Sequence, residues 1–199
     1  ADPSIEQYVV LAGDLVVTDN DLRRFIQCLG ETEATVLVNP LGKEDPLNWI
    51  CAGVNKDQVT GIEGHPRGGN FRLCGIYGFR HSAVEYIRRS PGIATPVPVG
   101  GMPPPESEIA HSVQLMVDDG KPVRAVATEG FFVDVDKPWH LLEANDRLKN
   151  HLIGQIDEDQ IADGAKISDG ADIGGRVILG ANSKIGKRVV VKGDLIAGA

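Results

Sequence analysis

The sequence has no pair of cysteines that could work together. Cys28, Cys51 and Cys74 are odd in number and far apart, and no CxxC occurs. That excludes a zinc knuckle or a dithiol redox motif and leaves three reduced thiols of the kind expected in a cytoplasmic protein. No apolar run approaches the length of a membrane span, and the first residues lack a basic start followed by an apolar core. Neither a spanning helix nor a secretory signal is therefore legible. Clusters of Lys and Arg are missing too, and 20 basic residues stand against 28 acidic ones, a formal net charge of -8. Such a balance repels a phosphate backbone, which argues against nucleic acid as partner. Small anionic substrates stay open, because local amides, cations or a metal can offset the bulk charge.

What is present fits a globular chain: 199 residues, 42% hydrophobic and 24% charged, enough for one ordinary domain and a smaller appendage. Residues 8–12, an apolar run closed by Gly13-Asp14, have the pattern of a buried parallel strand. Thr18-Asp19-Asn20-Asp21 supplies N-cap chemistry for a short helix ending at Gly30. Ala34–Val38 reads as the next strand, stopped by Asn39-Pro40. Residues 47–54 and 70–79 read as further strands separated by a Gly- and Pro-containing stretch at 61–69, with a helix over 81–89. Residues 90–105 hold six of the twelve prolines and are expected to form a stiff exposed loop. Helical spacing runs from Glu106 to Asp119 and stops at Gly120. Residues 123–127 and 131–135 follow as strands, and Asp136 is the expected N-cap of a helix over 137–150, whose first turn tolerates Pro138. Strands alternating with helices argue for an α/β layered domain over residues 1–150.

Beyond residue 160 the rhythm changes. Ile161, Ile167, Ile173, Leu179, Ile185, Val191 and Ala197 recur every sixth residue without a break. Ala165, Ala171, Val177, Ser183, Val189 and Leu195 follow four residues after each of the first six. A six-residue period belongs to neither a helix nor an ordinary strand. It suits a chain that turns a corner every six residues and stacks one aliphatic side chain per face, so residues 151–199 are expected to be a linker and a parallel β-helix.

Val-Leu-Ala-Gly-Asp (10–14), Gly-Ile-Tyr-Gly-Phe (75–79) and Phe-Val-Asp-Val-Asp-Lys-Pro-Trp-His-Leu-Leu-Glu-Ala-Asn (132–145) carry a resemblance over residues 8–150. The chain resembles the sugar-phosphate nucleotidyltransferases, and its tail resembles the left-handed β-helix of hexapeptide-repeat proteins. The resemblance implies an incomplete Rossmann-like α/β domain followed by a left-handed parallel β-helix. It implies joining of a sugar 1-phosphate to a nucleoside triphosphate with release of pyrophosphate, with Mg²⁺ as cofactor. It also implies self-association, with trimers through the β-helix.

Ligands of an open α/β sheet sit beyond the carboxyl ends of its strands. Asp14 and Asp134 end strands there, and two carboxylates converging on that edge suit a hard cation that leaves room for phosphate oxygens. By resemblance these are the metal positions. Read singly, Asp14 is equally a turn residue and Asp134 a capping or salt-bridging one. The resemblance puts Gly13, Gly75, Glu63 and Glu108 at the substrate. Gly75 would let the sugar approach the backbone, Tyr77 reads as core, and Glu108 is equally a surface residue in a helix's first turn. His111 stands where the family motif has its second acid.

Two departures bear on activity. The family's opening Gly-rich phosphate loop is absent from this sequence, so the chain is expected to be a fragment of a longer protein and inactive alone. Trp49-Ile50 and Gly64-His65-Pro66 stand where the family has Tyr-Gly and Glu-Lys-Pro, so Ile50 would crowd the sugar and a phosphate-binding cation is lost. His65 reads as an ordinary loop histidine. A non-catalytic regulatory or assembly subunit is one alternative. The other, acyl transfer in the β-helix, needs a general base at a coil edge, and none of the histidines (65, 81, 111, 140, 151) falls in 161–199.

Overall fold

The structure, a computed structural model, describes residues 4–90 and 109–198. It divides into two compact units, Ala1–Asp134 and Val135–Ala199. The helix expected over 137–150 falls in the second of these units.

The first unit contains β1 (Gln7–Leu11), β2 (Leu15–Val17), α1 (Asp19–Gln27), β3 (Ala34–Pro40), β4 (Ile50–Asn55), β5 (Gln58–Gly64), β6 (Phe71–Arg80), α2 (Val84–Arg89), α3 (Ile109–Asp118), β7 (Val123–Ala127) and β8 (Phe132–Asp134). Six strands form one sheet in the order β1-β6-β3-β7-β5-β4, and β2 pairs with β8 separately. Only β3 and β7 run parallel within the large sheet. The parallel β1 expected from its apolar run is therefore wrong: β1 is antiparallel to β6, and its residues alternate, with Val9 43% and Leu11 51% exposed. β3 has the buried central character instead, since Val36, Leu37 and Val38 are all 0% exposed.

Side chains on the two faces of the sheet feed two cores. Val36, Val38, Tyr77 and Phe79 pack with Val113 and Met116 of α3, and Leu37, Cys74 and Ile76 pack with Phe25 of α1 and Phe132 of β8. Tyr77 is core, stacked on Phe79 with ring centres 6.1 Å apart. The sequence reading missed β5. Its residues Thr60, Gly61 and Gly64 look like loop, but antiparallel pairing with β4 supplies the hydrogen bonds that define a strand. The proline-rich stretch and the start of the 106–119 helix lie outside the described residues, and Gly120 ends α3 with φ +69°.

The second unit opens with α4 (Pro138–Ile153). Lys137, not Asp136, is its N-cap: the Lys137 N–H donates to His140 Nδ1 at 3.2 Å, while Asp136 faces the Lys137 ammonium at 3.9 Å. Short strands follow: β9 (Gln160–Ile161), β10 (Lys166–Ile167), β11 (Asp172–Ile173), β12 (Val177–Leu179), β13 (Lys184–Ile185), β14 (Val190–Val191) and β15 (Leu195–Ala197). They make three small parallel sheets in which Lys166 pairs with Lys184, Asp172 with Val190 and Val177 with Leu195, each offset by eighteen residues. Val177, Leu179 and Ile185 are buried between them, with Ile167, Ile173 and Leu195 packed alongside. The same offset governs the turns. Gly164 and Asn182 share a left-handed backbone, as do Gly170 and Arg188, with φ between 60° and 82°.

Candidate functional site

β1, β2, β6 and β8 bring most of the motif residues together. The Ala12 N–H donates to the Gly75 carbonyl at 2.9 Å, which ties the end of β1 to the middle of β6. The chain then turns through Gly13 and Asp14 into β2, where Leu15 lies opposite Asp134 in the β2–β8 ladder. Asp14 is thus one residue from the position facing Asp134. It is exposed and Asp134 is half-buried, and no group of three or more metal-ligating side chains occurs among the described residues. Gly75 has φ +70°, and a Cβ there would stand 3.0 Å from the Ala12 Cβ. Backbone conformation and this close approach both require glycine.

A fully buried carboxylate that the sequence suggested only as cap chemistry organises the approach to β8. Thr18 is the N-cap of α1, its oxygen accepting from the Asp21 N–H at 3.3 Å. Asp21 itself is 0% exposed and accepts from Thr18 Oγ1 at 2.7 Å, the Glu129 N–H at 2.8 Å and the Gly130 N–H at 3.0 Å. Arg24 Nη1 donates to Asp21 at 3.1 Å and to the Ala127 carbonyl at 3.0 Å. Burial pushes the Asp21 carboxyl up, but the Glu129, Thr18 and Gly130 donors and Arg24 outweigh it, so it lies below the usual carboxylate range. Gly130 is glycine for space: a Cβ would come within 2.4 Å of Thr18 Cγ2. Through this knot α1 holds the strand that ends at Asp134.

Glu63 sits apart from the two aspartates, on the β4–β5 hairpin. It lies opposite Cys51 and lines an open cavity of about 540 Å³ with Gly53, Gly61, Gly69 and Gln114. Ile50 pairs with Gly64, and the His65 N–H donates to the Trp49 carbonyl at 2.8 Å. His65 Nδ1 is 2.8 Å from the Leu47 carbonyl, so this nitrogen carries the proton and is committed to the backbone. Glu108 lies outside the described residues.

The sequence reading passed over Arg72. It occupies β6 opposite Cys51 of β4, with its side chain 6% exposed. Its guanidinium carbon stands 4.0 Å from the centre of the Trp49 ring and 4.8 Å from that of Phe132, and Nη1 meets Glu44 at 3.1 Å. Arg72 Nε and Trp49 Nε1 are buried without an acceptor among the described residues. Cys74, two residues along β6, feels this setting: burial pushes its thiol far up, Arg72 opposes the shift, and Asp21 and Asp134 add to it. The available signal was a lone arginine within the otherwise apolar run Phe71-Arg72-Leu73-Cys74.

No protein-family model matches the chain. It is 26% identical over 196 residues to a glucose-1-phosphate thymidylyltransferase of Streptomyces antibioticus, covering 90% of this chain and 52% of that protein. It is 24% identical over 169 residues to the bifunctional protein GlmU of Methanocaldococcus jannaschii, covering 81% of this chain and 37% of that protein. The chain therefore spans about half, or less, of the length of these curated relatives. Among solved structures, a UTP-bound UGPase from Acinetobacter baumannii shares the fold with a TM-score of 0.58 at 19% identity, covering 73% of this chain and 51% of that one. The curated relatives are thus similar in kind to the sugar-phosphate nucleotidyltransferases that the motifs at 10–14, 75–79 and 132–145 resemble, and the solved structure shares the fold.

Proposed function

We propose that this chain provides the metal-binding and sugar-phosphate side of a nucleotidyltransferase centre, which joins a sugar 1-phosphate to a nucleoside triphosphate and releases pyrophosphate. The observation that carries it is the β2–β8 ladder, which sets Asp14 beside the position facing Asp134 at the end of β1. Two carboxylates suit Mg²⁺, which keeps water and substrate phosphate oxygens as its other ligands. Bound there, the ion would neutralise charge on the reacting phosphates. Gly13 and Gly75 form the backbone floor beside the aspartates, and Glu63 and Glu108 are the proposed acceptors for sugar hydroxyls. Ile50 paired with Gly64 narrows the hairpin edge where the sugar would lie.

In this reading the three short parallel sheets are a left-handed β-helix of hexapeptide coils that drives self-association, with a trimer as the expected assembly. The 199 residues contain no Gly-rich phosphate loop, so on their own they are expected not to turn over.

Mn²⁺ titration followed by its EPR signal tests the metal pair. Asp14→Asn and Asp134→Asn are each expected to weaken binding at least about tenfold, and Asp136→Asn to leave it unchanged. Equal affinity in all three variants would remove the metal assignment. Pyrophosphate release with a panel of triphosphates and sugar 1-phosphates tests the inactivity, which any turnover by this chain would overturn.

A further inference from the structure

We propose that Arg72, stacked between Trp49 and Phe132, is an anion-binding residue whose ligand is a phosphate monoester. Naming that ligand as the phosphate of a sugar 1-phosphate rests on the nucleotidyltransferase reading; the anion site does not.

Arg72 is a cation whose side chain is 6% exposed, lying on a strand otherwise devoted to the core. Its one acidic partner among the described residues is Glu44, whose side chain is 42% exposed and meets a single guanidinium nitrogen at 3.1 Å. A guanidinium presents its donors as a rigid fork that matches two oxygens of one phosphate. Glu44 engages Nη1 and leaves Nε without an acceptor. The indole stacked on the guanidinium, with its ring centre 4.0 Å away, repeats the pattern, since Trp49 Nε1 is also buried without an acceptor. Buried donors are nearly always satisfied, and two orphans on stacked partners mark a place where an acceptor is missing. A phosphate offers acceptor oxygens for both, together with a second negative charge beside that of Glu44. Trp49 and Phe132 fix the plane of the fork in advance, so little side-chain freedom is lost on binding.

The location fits. Phe132, whose ring centre the guanidinium carbon approaches to 4.8 Å, lies two residues before Asp134 on the same strand, β8.

Trp49 reports on the site. The chain has two tryptophans, and Trp139→Phe, at a residue 63% exposed, leaves Trp49 as the sole emitter. In that background, inorganic phosphate, α-D-glucose 1-phosphate and uncharged glucose are titrated at constant ionic strength. Expected are saturable changes with both phosphates, tighter for the sugar phosphate, and none with glucose. Arg72→Met should abolish the response, and Glu44→Gln should strengthen binding about threefold to tenfold by removing the carboxylate charge that competes with the anion. If Arg72→Met unfolds the protein, Glu44→Gln decides alone, because its carboxylate lies near the surface. The proposal is overturned if neither phosphate gives a saturable response, if Arg72→Met binds like its parent, or if Glu44→Gln leaves affinity unchanged. Phosphate binding without metal binding by Asp14 and Asp134 would sink the nucleotidyltransferase reading while leaving the anion site standing.

Discussion

Removing the Asp21 carboxylate should cost the first unit a large part of its stability and loosen the strand that carries Asp134. Asp21 is fully buried and gathers a hydroxyl, two backbone N–H groups and a guanidinium nitrogen at 2.7–3.1 Å. Asp21→Ala leaves the Glu129 and Gly130 N–H groups without their acceptor and Arg24 without its buried partner. Each buried N–H left without its acceptor costs about 1–3 kcal/mol, whereas Arg24 keeps Glu129 and the Ala127 carbonyl. Asp21→Asn keeps one acceptor oxygen and should cost about 2 kcal/mol. The pH dependence has a definite sign. The folded carboxyl lies below its ordinary value, so its contribution is complete above the unfolded value near pH 4 and is lost as pH falls through the folded one. Urea unfolding at neutral pH and on the acid side measures both effects, and wild type should lose more stability than Asp21→Asn between them. Mn²⁺ affinity should fall in both variants, since the loop at 128–130 leads directly into β8. A cost below about 1 kcal/mol for Asp21→Ala, or parallel acid profiles for wild type and Asp21→Asn, would refute the assignment of Asp21 as the anchor of that loop.

The thiols should divide by burial. Cys51 and Cys74 are 3% and 2% exposed, and burial pushes both thiols up, with Glu63 adding at Cys51. A thiol reagent at about pH 8 should therefore modify Cys28 quickly and the other two only in denaturant; a fast phase surviving in Cys28→Ser contradicts this. In the second unit, Gly175→Ala places a Cβ within 2.5 Å of the Gly193 backbone, eighteen residues on, so it should lower the melting temperature of that unit by several degrees. Gly170→Ala meets no neighbour but keeps a left-handed φ of +82°, so calorimetry should show a loss of only about 1 kcal/mol.

The sequence by itself determined whatever is periodic or local. The aliphatic residues that recur every six positions from Ile161 to Ala197 each fall in a short strand, and the paired strands are offset by eighteen residues. The Thr18 cap of α1 and the core position of Tyr77 were equally legible. Tertiary structure decided what depends on partners distant in sequence. The apolar run of β1 could not reveal that it pairs antiparallel with β6 and is exposed on alternate residues. Nor could the glycines of β5 reveal a strand whose order comes from its hairpin partner. Asp14 and Asp134 lie 120 residues apart in the chain, and only the β2–β8 ladder, which pairs Leu15 with Asp134, brings these two stretches together. Asp21 reads as one of several cap residues until the loop at 129–130, more than a hundred positions on, folds over it. Arg72 shows no period and no motif. Its character comes from two aromatic rings that reach it from 23 positions upstream and 60 downstream, a juxtaposition that only the closed sheet creates.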